Sequence, residues 1–206
     1  MHLKELKDHW EVLRTELDAL PRDIFISDQP RPTGEWEGSD ILRKIVSDYS
    51  SGKCGWLKGG QTHVQNEWIS WPIIWESKSV LGNCLKCPET HKLLSQIPGI
   101  RIAGFALMKG GVRLKEHTDL VGSEYKFTYH LGLQCPDGCY LHHYTLGDVK
   151  EENGKHIIMN ARFPHWAENN SEEDRVILYI EYYSTNDEGW CHSLHTMDIH
   201  PHLQSL

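Results

Sequence analysis

The sequence predicts a mainly β protein with helices in front and a jelly-roll-like core behind. Three observations carry that expectation. From Ile100 onward the chain breaks into short runs rich in β-branched and aromatic residues: IRIAGFALMK, VRLKEHTD, YKFTYHLGLQ, CYLHHYT, KHIIMN and RVILYIEYY. Turn residues separate these runs, among them Gly110-Gly111, Val121-Gly122-Ser123, Pro136-Asp137-Gly138, Gly147-Asp148 and Asn153-Gly154. Helical periodicity is confined to the first hundred residues, so βαβ units are not expected. The organisation expected is one domain over 1–206, with a helical and irregular part (1–99), a β core (100–183) and a C-terminal tail (184–206).

The elements follow in chain order. Leu3, Leu6, Trp10, Leu13, Leu17 and Leu20 recur in steps of three and four, one stripe of an amphipathic helix that Pro21 ends. A second helix is signalled by Ser39 as N-cap, by Ile41, Leu42, Ile45, Val46 and Tyr49 as its apolar face, and by Gly52 past its end. Residues 50–62, SSGKCGWLKGGQT, read as a loop. EWISWPIIW then reads as a buried strand. Pro88 suits the first turn of a short helix with Leu93, Leu94 and Ile97 inward, stopped by Pro98-Gly99.

Composition excludes some classes. A net charge of −8 opposes general nucleic-acid binding, which requires a positive surface. No apolar run approaches the roughly 18 residues of a membrane span. MHLKELKDHW lacks the apolar core of a signal peptide, so the expected compartment is the cytoplasm, where the six cysteines would be reduced. Cys84/Cys87 and Cys135/Cys139 have spacings that a four-thiolate zinc site permits, although ordinary thiols are the simpler reading. The C-terminal histidines 192, 195, 200 and 202 read as a solvated tail.

The chemistry concentrates in KEHTD. Along an extended strand, residues two apart share a face, so His117 and Asp119 can present ligands to one ion. His165, 46 residues beyond Asp119, is the candidate third ligand. Two imidazoles and one carboxylate on one face leave coordination positions open, the arrangement suited to iron(II) that must bind cosubstrate and O2 together. Ten residues further, Arg175 opens a strand, and a fixed guanidinium there suits a two-point grip on a carboxylate. With iron nearby, the fitting guest is 2-oxoglutarate. The bland alternative makes Arg175 a surface residue paired with Asp174 or Glu173.

The stretches GFALMKGGVRLKEHTD, YHLGLQCPDGC and ENGKHIIMNARFPHWAENNSEEDRVILYIEYY, with CPETHKLLSQIPG before them, resemble the aspartyl/asparaginyl β-hydroxylase family of 2-oxoglutarate oxygenases over roughly residues 70–183. The resemblance implies a double-stranded β-helix (cupin-like) fold and hydroxylation of an unactivated carbon, with 2-oxoglutarate going to succinate and CO2. It implies His117 and His165 as iron ligands, Asp119 as the carboxylate of many members, Arg175 at the far carboxylate of 2-oxoglutarate and His130 lining the cosubstrate pocket. Thr128 stands where the family commonly has an arginine, so either Lys126 substitutes from the same strand face or the cosubstrate sits differently. Asn160-Ala161-Arg162 and Ala106 also depart from the family pattern. The implied guest is an amino acid, a peptide or another small acidic substrate. Lys109, Arg113, Lys115, Lys126 and Arg162 near the expected mouth would suit one, or are simply solvated strand residues. The competing reading is a cupin-fold protein that binds a metal or a small acid without turnover.

Overall fold

The structure, a computed structural model, describes residues 1–29, 40–59, 67–119 and 126–183. Ser39, the turn at 121–123, Cys191 and the C-terminal histidines lie outside these residues, as does the side chain of Lys126.

The N-terminal stripe is buried as its spacing predicts, but not in one uniform helix. A 3-10 helix over Leu3–His9 leads into α1, Trp10–Asp18. Leu3 and Leu6 are three apart, the spacing that a 3-10 helix places on one side, whereas Leu13 and Leu17 keep the step of four of α1. All four, with Leu20, are buried. Each stabilises the fold by roughly 1.5–3 kcal/mol through removal of its side chain from water. In α2, Asp40–Ser50, Ile45 and Tyr49 are buried, whereas Val46 is exposed. That helix meets a small cluster with Leu57 and Val80, so only a narrow stripe of it finds partners. The short helix α3 spans Leu81–Cys84, and α4 spans Pro88–Ser95 with its proline in the first turn and Leu94 and Ile97 buried.

Glu16 of α1 satisfies the start of α4 from a distance. Its carboxylate accepts hydrogen bonds from the Glu89 and Thr90 amides and from the Thr90 hydroxyl. Those amides have no partner inside the helix. Glu16→Ala is therefore expected to destabilise by about 1–2 kcal/mol, the usual cost of a lost N-terminal cap. A thermal melt should show a fall of several degrees.

Among the described residues, seven strands form the larger sheet. Its path is β1 (Leu57–Lys58), β2 (Trp68–Trp75), β4 (Ile100–Met108), β10 (Arg175–Tyr183), β5 (Lys126–Gln134) and β8 (His156–Asn160), with β3 (Lys78–Ser79) attached to β2. A three-stranded sheet runs β7 (Gly147–Lys150), β6 (Cys139–His143), β9 (His165–Asn169). The strands of both sheets pair antiparallel throughout. The stretch 50–62, expected to be loop, contributes β1 and the fully buried Trp56. Its glycine-rich setting obscures this apolar pair in the sequence.

Alternation along the strands sorts the side chains. Val176, Leu178, Ile180 and Tyr182 of β10, with Tyr129, Leu131 and Leu133 of β5, pack beneath α1 and α4. The opposite face of the same strands carries Arg175 and Tyr179, and Thr128 and His130. A second apolar cluster joins Met108 and Met159 of the larger sheet to Leu141 and Ala167 of the smaller. The inner faces of the two sheets therefore meet, and the polar residues of β5 and β10 lie on the same side as this contact.

Candidate metal centre

VRLKEHTD does not form a regular strand. It lies extended against β9 and meets it in two isolated bridges, Arg113↔Glu168 and His117↔His165. Between these bridges the chain advances four residues on one side and three on the other, so one extra residue interrupts the ladder. Such bulges re-aim side chains. Here the result is a tight two-bond bridge, with the His117 amide donating to the His165 carbonyl at 3.0 Å and the His165 amide to the His117 carbonyl at 2.9 Å. The Asp119 amide donates to the Ala161 carbonyl at 2.9 Å.

These backbone ties bring three predicted residues together. Ligand atoms of His117, Asp119 and His165 lie within 4.8 Å of one another, the one such group of metal-binding side chains among the described residues. The imidazole centroids are 4.4 Å apart, and His117 Nε2 is 3.8 Å from Asp119 Oδ1. Hydrogen bonds set both tautomers. His117 Nδ1 faces the Lys115 carbonyl at 2.7 Å and His165 Nδ1 faces the Phe163 carbonyl at 2.9 Å. A carbonyl only accepts, so each Nδ1 carries a proton and Nε2 is the nitrogen that each ring in its neutral form can offer to a metal. Burial pulls the His165 pKa down to about 4, against the opposing hydrogen bond to the Phe163 carbonyl, which keeps this imidazole neutral near pH 7.

His143 lies behind His165, with ring centroids 6.2 Å apart, but its nitrogens are engaged. Nε2 donates to the Asn160 carbonyl, and Nδ1 accepts from the Thr145 and Leu146 amides. His142, on the other face of β6, stacks on Trp166 and contacts Asp148 and Glu168. The histidine pair thus divides between the two faces as strand alternation requires.

His130 and Arg175 are buried on the inner face of the larger sheet, His130 on the side of the triad. Asp119 and His130 act on each other electrostatically, as do His130 and His165. The Arg175 guanidinium does hold a carboxylate at two points, but the carboxylate is Glu151. Nε donates to Oε2 at 2.7 Å and Nη2 donates to Oε1. His130 Nδ1 contacts the same Oε1 at 3.3 Å. Neither Asp174 nor Glu173 is its partner; Asp174 pairs instead with Lys109. The Thr128 hydroxyl is fully buried without a hydrogen-bond partner, a polar atom left open on the face it shares with His130.

Glu151 is the residue that sequence reasoning missed. Nothing in KEENGK distinguishes it from Glu152, which lies near the surface and pairs with Lys155. The usable signal was indirect, since an arginine buried on a strand requires a nearby anion.

Two of the basic residues expected at the mouth are engaged. Lys109 pairs with Asp174, and Arg113 lies over the Trp166 ring and 3.9 Å from Glu168. Among the described residues the cysteines form no metal-binding group. Cys84 and Cys87 thiols point to the Ile73 and Asn83 carbonyls, and the Cys139 thiol to Asn169. Burial raises Cys84 and Cys139 to about 11, against thiolate formation.

Two facing antiparallel sheets with a His-Asp-His cluster at their junction define a double-stranded β-helix protein of the cupin-like class, with one candidate mononuclear metal centre. The chain belongs to the aspartyl/asparaginyl beta-hydroxylase family, whose profile matches residues 7–185. It is 28% identical over 180 residues to aspartate beta-hydroxylase domain-containing protein 2 of Homo sapiens, covering 82% of this chain and 46% of that one. It is 25% identical over 123 residues to the ornithine lipid ester-linked acyl 2-hydroxylase of Rhizobium tropici, covering 55% and 43%. The chain thus spans less than half the length of these curated relatives. A solved 2OG-Fe(II) oxygenase family oxidoreductase from Burkholderia pseudomallei shares the fold, with a TM-score of 0.51 and 14% identity over 72% of this chain and 81% of that one. No helix among the described residues is long and apolar enough to cross a membrane.

Proposed function

We propose that this chain is an iron(II)- and 2-oxoglutarate-dependent hydroxylase acting on an unactivated C–H of an amino acid, of an aspartyl or asparaginyl residue in a peptide, or of another small acidic molecule. The observation that carries this reading is the convergence of His117, Asp119 and His165 with both histidine tautomers set by backbone carbonyls. Two imidazole nitrogens and one carboxylate suit iron(II) and leave room for a chelating 2-oxo acid. Bound iron would supply the activation of O2, which side chains alone do not provide. The protein's part is placement. The bridge to β9 holds the two imidazoles, Thr128 and His130 offer polar contacts beside them, and Met108, Leu141, Met159 and Ala167 exclude water from one side.

Family membership and the relatives' names support hydroxylation; the names also keep both an aspartate carbon and an acyl carbon open as targets. The second reading, a binder without turnover, draws its support from Arg175, whose fork already holds an internal carboxylate. Two measurements separate these readings. Anaerobic titration of the protein with iron(II) and then 2-oxoglutarate is expected to produce the weak visible charge-transfer band of a 2-oxo acid chelate. Admitting O2 is expected to yield succinate. A chelate band without succinate, tested across candidate substrates, would favour the binder; no band would remove the oxygenase reading.

A further inference from the structure

We propose that Glu151 is an internal competitor for the far carboxylate of a dicarboxylate cosubstrate: it keeps the Arg175 fork closed, so the site takes 2-oxo acids with little regard for a second carboxylate. This rests on the oxygenase reading above and specifies which cosubstrates that site accepts.

The geometry is that of a completed recognition pair. Arg175 and Glu151 meet edge to edge through two parallel N–H···O contacts, the arrangement by which an arginine binds a free carboxylate. Arg175 is 2% exposed and Glu151 is 3% exposed, so water does not compete for either group. His130 Nδ1 adds a third contact to the same carboxylate, filling a position that an incoming ligand would use.

The placement of Glu151 is built into the fold. Its amide donates to the Cys139 carbonyl at 3.0 Å, continuing the β7–β6 ladder by one residue. The next residue presses on β5 at Gly132, where a Cβ would lie only 2.1 Å from the Glu152 carbonyl oxygen. Only glycine at that position lets the 151–153 segment approach closely enough to place a carboxylate over the start of β10. The Gly154 amide then donates to the Gly132 carbonyl at 2.9 Å, and the Gly132 amide donates to the Lys155 carbonyl at 3.0 Å.

Charge completes the argument. Arg175 and Glu151 cancel, and burial pulls the His130 pKa down, against the pull of Glu151, so the cluster approaches neutrality. A second carboxylate entering here would meet no unbalanced cation and would repel Glu151. Protonation offers no relief near neutral pH, because Glu151 is held at about 2. The Thr128 hydroxyl, on the same strand face as His130, adds a polar contact but no charge. The chelating keto-acid end of a cosubstrate depends on the metal and is unaffected.

The test uses the iron(II)-loaded protein without O2 and reads binding by calorimetry and by the chelate band. The probes are 2-oxoglutarate and 2-oxobutyrate, which share the chelating end and differ in the far carboxylate. In the unaltered protein the two are expected to bind within about threefold of each other, as for a charge whose partner is already taken. In Glu151→Gln, which keeps the shape and frees the arginine, 2-oxoglutarate is expected to tighten by about tenfold or more while 2-oxobutyrate is unchanged. The same ligand should raise the variant's melting temperature more than that of the parent.

A parent preference for 2-oxoglutarate above about thirtyfold would overturn the proposal, since the fork would then be open to ligand. So would a folded variant, with unchanged iron affinity, that gains nothing or loses affinity. Should Glu151→Gln fail to fold, the parent ratio decides alone. Binding of neither 2-oxo acid would overturn the oxygenase reading together with this one, whereas a strong preference for 2-oxoglutarate leaves that reading standing.

Discussion

His165→Ala is expected to abolish iron(II) binding at the candidate centre, with affinity falling by more than about 100-fold, since loss of a ligand should exceed the 10–100-fold cost of losing a group that merely orients one. His165 contributes more than a nitrogen. Its backbone closes the bridge that fixes His117, and its buried, neutral imidazole offers a lone pair without first losing a proton. Asp119→Ala should cost less, because the Asp119 side chain is 24% exposed and water can take the vacated position. Iron titration followed by calorimetry ranks the two, and circular dichroism checks that each variant keeps its sheets. Equal losses would mean that the carboxylate is as indispensable as the imidazole. Unchanged binding in His165→Ala would remove the triad as the metal centre.

How much of this was legible in advance depended on whether a feature was local. Strand alternation in RVILYIEYY and YKFTYHLGLQ announces which residues enter the core, and the structure places Val176, Leu178, Ile180, Tyr129 and Leu131 there. The two-residue spacing of His117 and Asp119 likewise predicts a shared face. What spacing does not reveal is the extra residue between Arg113 and His117, because a bulge is a property of a pairing and its partner lies some fifty residues away. Trp56 illustrates a different limit: glycines around it mimic a loop, while its burial depends on Trp71 and the Pro21 carbonyl, both distant in sequence. Residue type and strand position lead to the expectation that Arg175 grips the carboxylate of 2-oxoglutarate, whereas the structure pairs its guanidinium with Glu151. The identity of that carboxylate is a tertiary fact, decided where β7 ends and Gly132 permits a close approach.

Glu151→Ala is expected to lower stability at pH 7 by about 3–5 kcal/mol, the cost of leaving one member of a buried ion pair without its partner. For a chain of this size that corresponds to a fall in melting temperature of roughly 10 °C. The effect should depend on pH in a definite direction. Burial raises the Glu151 pKa, but Arg175 and the hydrogen bonds from His130 and Arg175 outweigh it and hold the folded value at about 2, below the ordinary 4.5. A depressed folded pKa means that the unfolded chain takes up the proton first. The pair's contribution is therefore complete above about pH 4.5 and is lost as pH falls through about 2, amounting to about 3 kcal/mol over that window. Denaturant melts of parent and variant at stepped pH should converge toward acid, while the other depressed carboxylates, Asp48, Asp137, Glu152 and Glu168, contribute equally to both and drop out of the difference. A gap that stays constant from pH 7 to pH 2 would mean that Glu151 acts through packing rather than charge. A double variant replacing Glu151 and Arg175 with leucine and methionine is expected to recover most of the loss, because apolar residues can fill such a site as well as an ion pair does. Recovery there would show that the fold does not need the ion pair as such, whereas no recovery would mean that the paired charges themselves hold this part of the sheet.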